Sequence, residues 1–183
     1  RLGQRPDADV RLVRRRVQTH VVGHERLARL LLDHGMPDIV CQELVAVVPP
    51  KMGRATMRQI AVNAVMAGCR PEYLPVVVAA LRAVSEPQYG LSHRQTTTHA
   101  GAPLIIVNGP IIERLRVNCG RGVFGPGWRA NATIGRALRL VLVNVGGANP
   151  GVDASQTGHP GKYTFCIAEY EAANPWEPLH VER

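Results

Sequence analysis

Apolar residues recur at helical intervals through the first half of the chain. A helix over residues 25–34 is indicated by three leucines on one face, Leu27, Leu30 and Leu31. A second helix begins after Thr56, a favourable N-cap residue, and ends near Gly68. Its predicted buried face comprises Met57, Ile60, Ala61, Ala64 and Val65. A third helix opens at Pro71, and its predicted buried stripe comprises Leu74, Val77, Val78, Leu81 and Val84.

The second half of the chain mixes predicted strands with helices. The segment HRQTTTHAGAP, residues 93–103, is rich in β-branched threonine, and the apolar run LIIVNGP, residues 104–110, ends in a turn. Both segments predict strands, and the second is expected to be buried. Residues 111–115 predict a short helix, and a long helix follows a glycine-rich loop and reaches about Val145. The segment KYTFCIAEYE, residues 162–171, predicts a last strand before an irregular tail.

These elements predict an α/β fold. We expect a single domain over residues 20–183, with a small sheet flanked by helices and a glycine loop leading into a long helix, preceded by a basic arm over residues 1–19. With 183 residues, of which 45% are hydrophobic, the chain is long enough to bury one core. No apolar run is long enough to cross a bilayer, and the charged first residues lack the apolar segment of a signal peptide. We therefore expect no membrane association.

Charge and cysteine usage narrow the class of protein further. Nearly all of the positive charge behind the net +8 is arginine, and the only lysines are Lys51 and Lys162. The densest cluster in the arm is Arg11, Arg14, Arg15 and Arg16. Nucleic-acid binding through this arm is one interpretation, but no aromatic stacking motif accompanies it, so nucleic acid is disfavoured as a partner. The four cysteines form no CxxC pair, which disfavours a paired zinc site, and without a secretion signal we expect reduced thiols in a cytoplasm. No metal ligands are predicted, and no cofactor is identified.

The segment NCGRGVFGPGWRAN, residues 118–131, joins the glycine loop to the start of the long helix. Glycine lets the backbone approach a ligand closely, and the unpaired N–H groups of a helix N-terminus favour an anion. Arg129 adds a guanidinium suited to carboxylate or phosphate. The predicted substrate-binding residues are Asn108, Gly125, Gly127, Trp128, Arg129 and Asn131. The predicted ligand is a small anionic metabolite.

Four residues are candidates for the chemistry of this site. Cys119, at the head of the loop, is a candidate nucleophile, and packing beneath the loop is the alternative. His99 ends the threonine-rich segment and is the preferred general base, because strand ends commonly line α/β sites. Glu169, near the end of the last predicted strand, is a candidate acid or base. Cys166 within that strand is either a second functional thiol or a packing residue.

Several segments together resemble a known but poorly characterised bacterial family. They are AVNAVMAGCRPEYLPVVVAAL, APLIIVNGPI, GPGWRANATIGRALRL, GKYTFCIAEYE and PWEPLHVER, which occur in this order. Members of the family are described as hypothetical or thioredoxin-like and are associated with proteins that carry a UGSC-type selenocysteine or cysteine motif. The resemblance covers roughly residues 49–183 and implies a shared fold and site without an established reaction. The thioredoxin dithiol is missing here, and family members continue beyond the HVER motif, which implies a second polypeptide or a shortened chain.

The sequence as a whole favours a subunit of a cytoplasmic bacterial enzyme that acts on a small anionic metabolite. A second protein subunit or a second copy of the chain is the expected protein partner. Two alternatives stay open: a non-catalytic binding or scaffold subunit of a heteromeric complex, and nucleic-acid binding through the arginine-rich arm.

Overall fold

The computed structural model describes residues 41–181. The predicted basic arm, residues 1–19, and the helix predicted over residues 25–34 lie outside the described residues. The described chain folds into α-helices and two small β-sheets around one hydrophobic core. The mixed α/β class is as predicted, but the strands form two separate pairs instead of one sheet.

The first pair is an antiparallel hairpin of β1 (Leu44–Val48) and β2 (Gly53–Thr56). A Cβ atom at Gly53 would lie 1.9 Å from the carbonyl oxygen of Val145, so only glycine fits where the hairpin meets the end of the long helix. No predicted element corresponds to this hairpin, because the sequence LVAVV of β1 does not alternate between apolar and polar residues.

Helix α1 (Met57–Met66) begins where Thr56 predicts. The Thr56 side chain accepts a hydrogen bond from the Gln59 N–H, and the Gln59 side chain accepts one from the Thr56 N–H at 2.9 Å, which completes a capping box. The predicted face is buried except for Val65, which is 53% exposed. Val65 follows Met57 by eight positions, or about 80° around the helix at 3.6 residues per turn, and so lies at the edge of the buried face.

Helix α2 (Leu74–Ser85) is the central helix of the core. It follows a 3₁₀ turn, Pro71–Tyr73, and its predicted buried stripe is confirmed in full. All eight residues from Leu74 through Leu81 are buried, so the helix is covered on every side and not on one face alone. It packs against α1, β1 and the long helix.

The threonine-rich segment is not a strand, and that prediction is wrong. Helix α3 (Leu91–Gln95) includes His93, and the chain from residue 96 to residue 104 is irregular. The Thr96 hydroxyl donates to the Ser92 carbonyl at 3.0 Å, and the Thr97 hydroxyl accepts from the His99 N–H at 3.1 Å. Threonine side chains that bond to nearby backbone groups favour turns over strands, and this outweighs the β propensity of the segment.

The second pair consists of β3 (Ile105–Val107) and β4 (Cys166–Ala168), which are parallel. Both strands are shorter than predicted, and Ile106 is 48% exposed, so the expectation of a buried β3 is wrong at that position. Helix α4 (Ile111–Leu115) follows β3 with the predicted bounds.

Helix α5 (Arg129–Asn144) begins directly after the glycine loop and ends next to Val145, as predicted. It packs against α1, α2 and β4. A Cβ atom at Gly135 would lie 2.5 Å from the backbone nitrogen of Phe165, so this glycine lets the chain entering β4 lie directly on the helix. No helix in the described part of the chain is long and apolar enough to cross a membrane.

Candidate functional site

The N-terminus of α5 is uncapped within the described chain. Trp128 occupies the N-cap position in an extended conformation, and no side chain accepts a hydrogen bond from the first turn. The first turn also contains no acidic residue. Because the first N–H groups of a helix have no partner within the helix, these donors are available to water or to an anion. The N-terminus of α1 differs, because its capping box provides side-chain acceptors for the N–H groups of Thr56 and Gln59.

Arg129 is fixed at this N-terminus by a contact far along the chain. Its Nε donates to the carbonyl oxygen of Gly68 at 2.9 Å, just beyond the end of α1. Its two terminal nitrogens have no hydrogen-bond partner among residues 41–181. Gly127, with φ at +101°, turns the loop into the helix, and Trp128 is 42% exposed beside it. Gly125 is exposed as well, so four of the six predicted substrate-binding residues lie at the start of α5 and its loop.

Asn131 is the fifth, and it holds the glycine loop in place. Its side chain is buried, and its Oδ1 accepts from the Asn118 N–H at 2.8 Å. Its Nδ2 donates to the carbonyl oxygens of Asn118, at 2.9 Å, and Val123, at 3.3 Å. Because these bonds occupy the carboxamide, Asn131 can offer an anion its backbone N–H but not its side chain.

The loop begins beside strand β4, on the side away from β3. The Ala168 N–H donates to the Asn118 carbonyl at 3.1 Å, whereas the Glu169 N–H donates to the Val107 carbonyl at 2.8 Å. Successive N–H groups of a strand point to opposite sides, so the head of the loop flanks β4 much as a third strand would. Cys119 is half-buried there and packs against the core. The structure thus gathers Cys119, Glu169 and the half-buried Asn108 at the carboxyl ends of β3 and β4.

The Glu169 carboxylate folds the tail of the chain back onto this edge. It accepts from Asn174 Nδ2 at 3.1 Å and from the Leu179 N–H at 3.2 Å. The geometry therefore provides a tethering role for Glu169, and its predicted acid–base role stays a prediction.

Two residues that sequence reasoning did not place in the site stand next to it. The Glu171 carboxylate accepts from the Gly109 N–H at 2.6 Å and lies 3.1 Å from Nδ1 of His180. Glu171 lies two residues beyond Glu169, which was the available signal, but its contact with residue 109 spans 62 positions and has no local signature.

Cys166 is buried, and burial raises the pKa of its thiol to about 12. Burial likewise raises the pKa of the Cys69 thiol to about 11. Thiols held in the protonated form are poor nucleophiles, so the geometry favours the packing interpretation of Cys166.

His99 does not join the other candidates. It is exposed in the irregular segment after α3, and its position at the end of a strand, on which its predicted role rested, does not exist. Its only hydrogen bond within residues 41–181 is the one that its N–H donates to the Thr97 hydroxyl.

A largely buried ion-pair cluster between Arg139 of α5 and the segment that follows the helix was not predicted. Asp153 lies 2.6 Å from Nζ of Lys162 and 3.0 Å from Nη2 of Arg139, and all three side chains are at most 13% exposed. Burial alone would raise the pKa of Asp153, but the hydrogen bond from Lys162 and the charges of Lys162 and Arg139 hold that pKa below its ordinary value.

The four cysteines are all unpaired, and residues 41–181 contain no group of three or more His, Cys, Asp or Glu side chains that could hold a metal ion. No protein-family model matches the chain, and no similar protein was found among characterised proteins or solved structures.

Proposed function

We propose that the chain is a subunit of a cytoplasmic bacterial enzyme that acts on a small anionic metabolite, and that the anion binds at the N-terminus of α5. The observation that carries the proposal is the uncapped first turn of α5 beside Arg129, whose guanidinium is anchored through Nε and keeps its terminal nitrogens unpaired within the described chain. A helix N-terminus and a guanidinium both favour carboxylate or phosphate groups.

Cys119 is the candidate nucleophile that this location supports. Asn118, its neighbour, exchanges hydrogen bonds with Asn131 in the first turn of α5, so the thiol belongs to the same loop that borders the anion site. Four unpaired cysteines support a reducing compartment. A second subunit or a second copy of the chain would supply the further catalytic groups that a complete reaction needs.

A calorimetric titration with inorganic phosphate tests the anion site. We expect Arg129→Ala to raise the phosphate Kd about tenfold or more, because a charge-assisted hydrogen bond contributes about 1.5–3 kcal/mol. Arg58→Ala is the matched control, since Arg58 lies in the first turn of α1, whose N-terminus is already capped. The control should change Kd less than twofold. Equal affinities of the wild type and Arg129→Ala would reject the site.

A non-catalytic binding subunit is the second candidate, and the outer face of α1 favours it. Val62, Val65 and Met66 are each more than half exposed and lie three and four positions apart. An apolar stripe on a surface helix is typical of protein contacts. Native mass spectrometry of the chain with its co-expressed neighbours identifies a bound partner, and an activity assay of that partner with and without the chain distinguishes the candidates. A scaffold binds a partner that is active without it, whereas an enzyme subunit is required for activity.

A further inference from the structure

Most of the aromatic side chains in the second half of the described chain lie at its surface. Phe124, in the glycine loop, is 59% exposed, and Tyr163, just before β4, is 62% exposed. The ring of Phe124 packs on that of Phe165, with the two centroids 4.7 Å apart. Large aromatic rings usually lie in a core, so a group of exposed rings on one surface is typical of a site that binds a partner.

These rings are held in place on α5. The backbone of Phe165 lies directly on Gly135, and the ring of His159 meets that of Phe165 edge-on, with the centroids 5.4 Å apart. The guanidinium of Arg136, the next residue along the helix, lies 4.0 Å from the centre of the Tyr163 ring. The residues that form this aromatic surface are Phe124, Arg136, His159, Tyr163 and Phe165.

This part of the chain carries positive charge with few carboxylates to balance it. Residues 114–168 contain six arginines and one lysine but a single acidic residue, Asp153. The Asp153 carboxylate already forms two ion pairs within this stretch. Arg121 and Arg136 form no ion pair with a carboxylate among residues 41–181. The partner that complements this surface is therefore anionic.

Aromatic faces beside cations fit the two parts of a nucleotide. A base of any identity stacks on an aromatic ring, and arginine binds the phosphate. The surface is open, because the cavity beside Phe165 measures only about 10 Å³ and cannot enclose a base, whereas pockets for small molecules measure about 300–1,000 Å³. An extended strand with successive bases on successive rings suits an open surface better than one free nucleotide does. The bases of a duplex are stacked on one another, so the strand is single.

We propose that the aromatic surface binds single-stranded nucleic acid, with bases stacked on Phe124 and Tyr163 and the phosphates next to Arg121 and Arg136. This site goes beyond the small-anion site at the N-terminus of α5 and does not depend on it. The sequence contains no stacking motif, because the rings come from the glycine loop and from the segment before β4, which are far apart in the chain.

Fluorescence anisotropy of the full chain with a labelled oligouridine of about twelve nucleotides tests the proposal. A strand of the same length without bases has the same charge and is the reference ligand. We expect the wild type to bind oligouridine about tenfold more tightly than the abasic strand, or better. Phe124→Ala and Tyr163→Ala should each raise the oligouridine Kd about fivefold or more and leave the abasic Kd unchanged.

Trp176→Ala is the matched control for these variants. Trp176 is 77% exposed, more than either ring of the proposed site, but Glu177 follows it directly in the chain. A carboxylate repels the phosphates of a strand, so the control should change the oligouridine Kd less than about twofold.

Equal Kd values of the wild type for the two strands would overturn the proposal, because charge alone, such as that of the arginines in residues 11–16, would then explain the binding. Undetectable binding of both strands would overturn it as well. So would tighter binding of a polyglutamate of the same charge, which would identify an acidic protein segment as the partner. Should Phe124→Ala fail to fold, Phe124→Leu removes the ring and keeps an apolar side chain. An unchanged oligouridine Kd in both Phe124→Leu and Tyr163→Ala would reject the stacking site.

Discussion

Asn131 shows how one side chain can replace a strand pairing. Its carboxamide both accepts from and donates to the backbone of Asn118, as a neighbouring strand residue would, and so fixes the head of the glycine loop on α5. Asparagine at the start of a helix is equally typical of a ligand contact and of a local cap. The sequence could place Asn131 beside the loop, but it could not show which groups its amide would bond.

We expect Asn131→Ala to lower the free energy of unfolding by about 2–3 kcal/mol, because it leaves the Asn118 N–H without its acceptor and removes the donor to the Asn118 and Val123 carbonyls. Urea unfolding followed by circular dichroism measures the change. Thr133→Ala is the control on the same helix. Within the described part of the chain the Thr133 hydroxyl bonds only to the Arg129 carbonyl one turn earlier, so the variant should stay within about 0.5 kcal/mol of the wild type. Similar stabilities of Asn131→Ala and the wild type would contradict the structural role of this amide.

Hydrogen bonds between residues close in the chain explain which helices and strands were predicted correctly from the sequence. Thr56 has Gln59 three positions later and caps α1, and α4 and α5 have the predicted bounds or lie within a residue of them. Residues 96–98 are also threonines, yet the hydroxyls of Thr96 and Thr97 bond to nearby backbone groups and the segment is irregular. β propensity describes a position in a sheet, and this segment has no neighbouring strand among residues 41–181.

The contact between α5 and residues 149–162 depends on Asp153, and it should be sensitive to acid. The pKa of the Asp153 carboxyl is lowered in the folded state. The stabilisation that the carboxylate contributes is therefore complete above the unfolded-state pKa of about 3.9, and it is lost as the pH falls through the folded-state pKa. We expect Asp153→Asn to cost about 3–5 kcal/mol at pH 7, because the variant leaves Arg139 and Lys162 without a carboxylate, and the difference from wild type should shrink below pH 4.

Denaturant unfolding of both proteins between pH 3 and pH 7 measures this effect. Glu43→Gln is the control, since Glu43 lies 3.8 Å from Arg82 in a more exposed pair and should cost less than about 1 kcal/mol. A stability difference between wild type and Asp153→Asn that stays constant with pH would contradict the assignment.

For the fold as a whole, the sequence predicted segments that the structure places near one another, but not the contacts that hold them there. The glycine loop, Arg129 and the strand-end residues Asn108 and Glu169 lie at adjoining places in the fold. The anchoring of Arg129 by Gly68 and that of Arg139 on Gln95 join residues 61 and 44 positions apart. Such contacts have no periodicity to read, because the tertiary packing of segments far apart in the chain determines them.

Two-dimensional ¹⁵N NMR of the full chain titrated with phosphate tests directly whether the first turn of α5 binds an anion, because an anion at a helix N-terminus shifts the amide resonances that point at it. We predict the largest shifts at residues 127–131, saturating with a single Kd, and none at the capped first turn of α1. Shifts confined to other parts of the chain, or no saturable shift at residues 127–131, would contradict it.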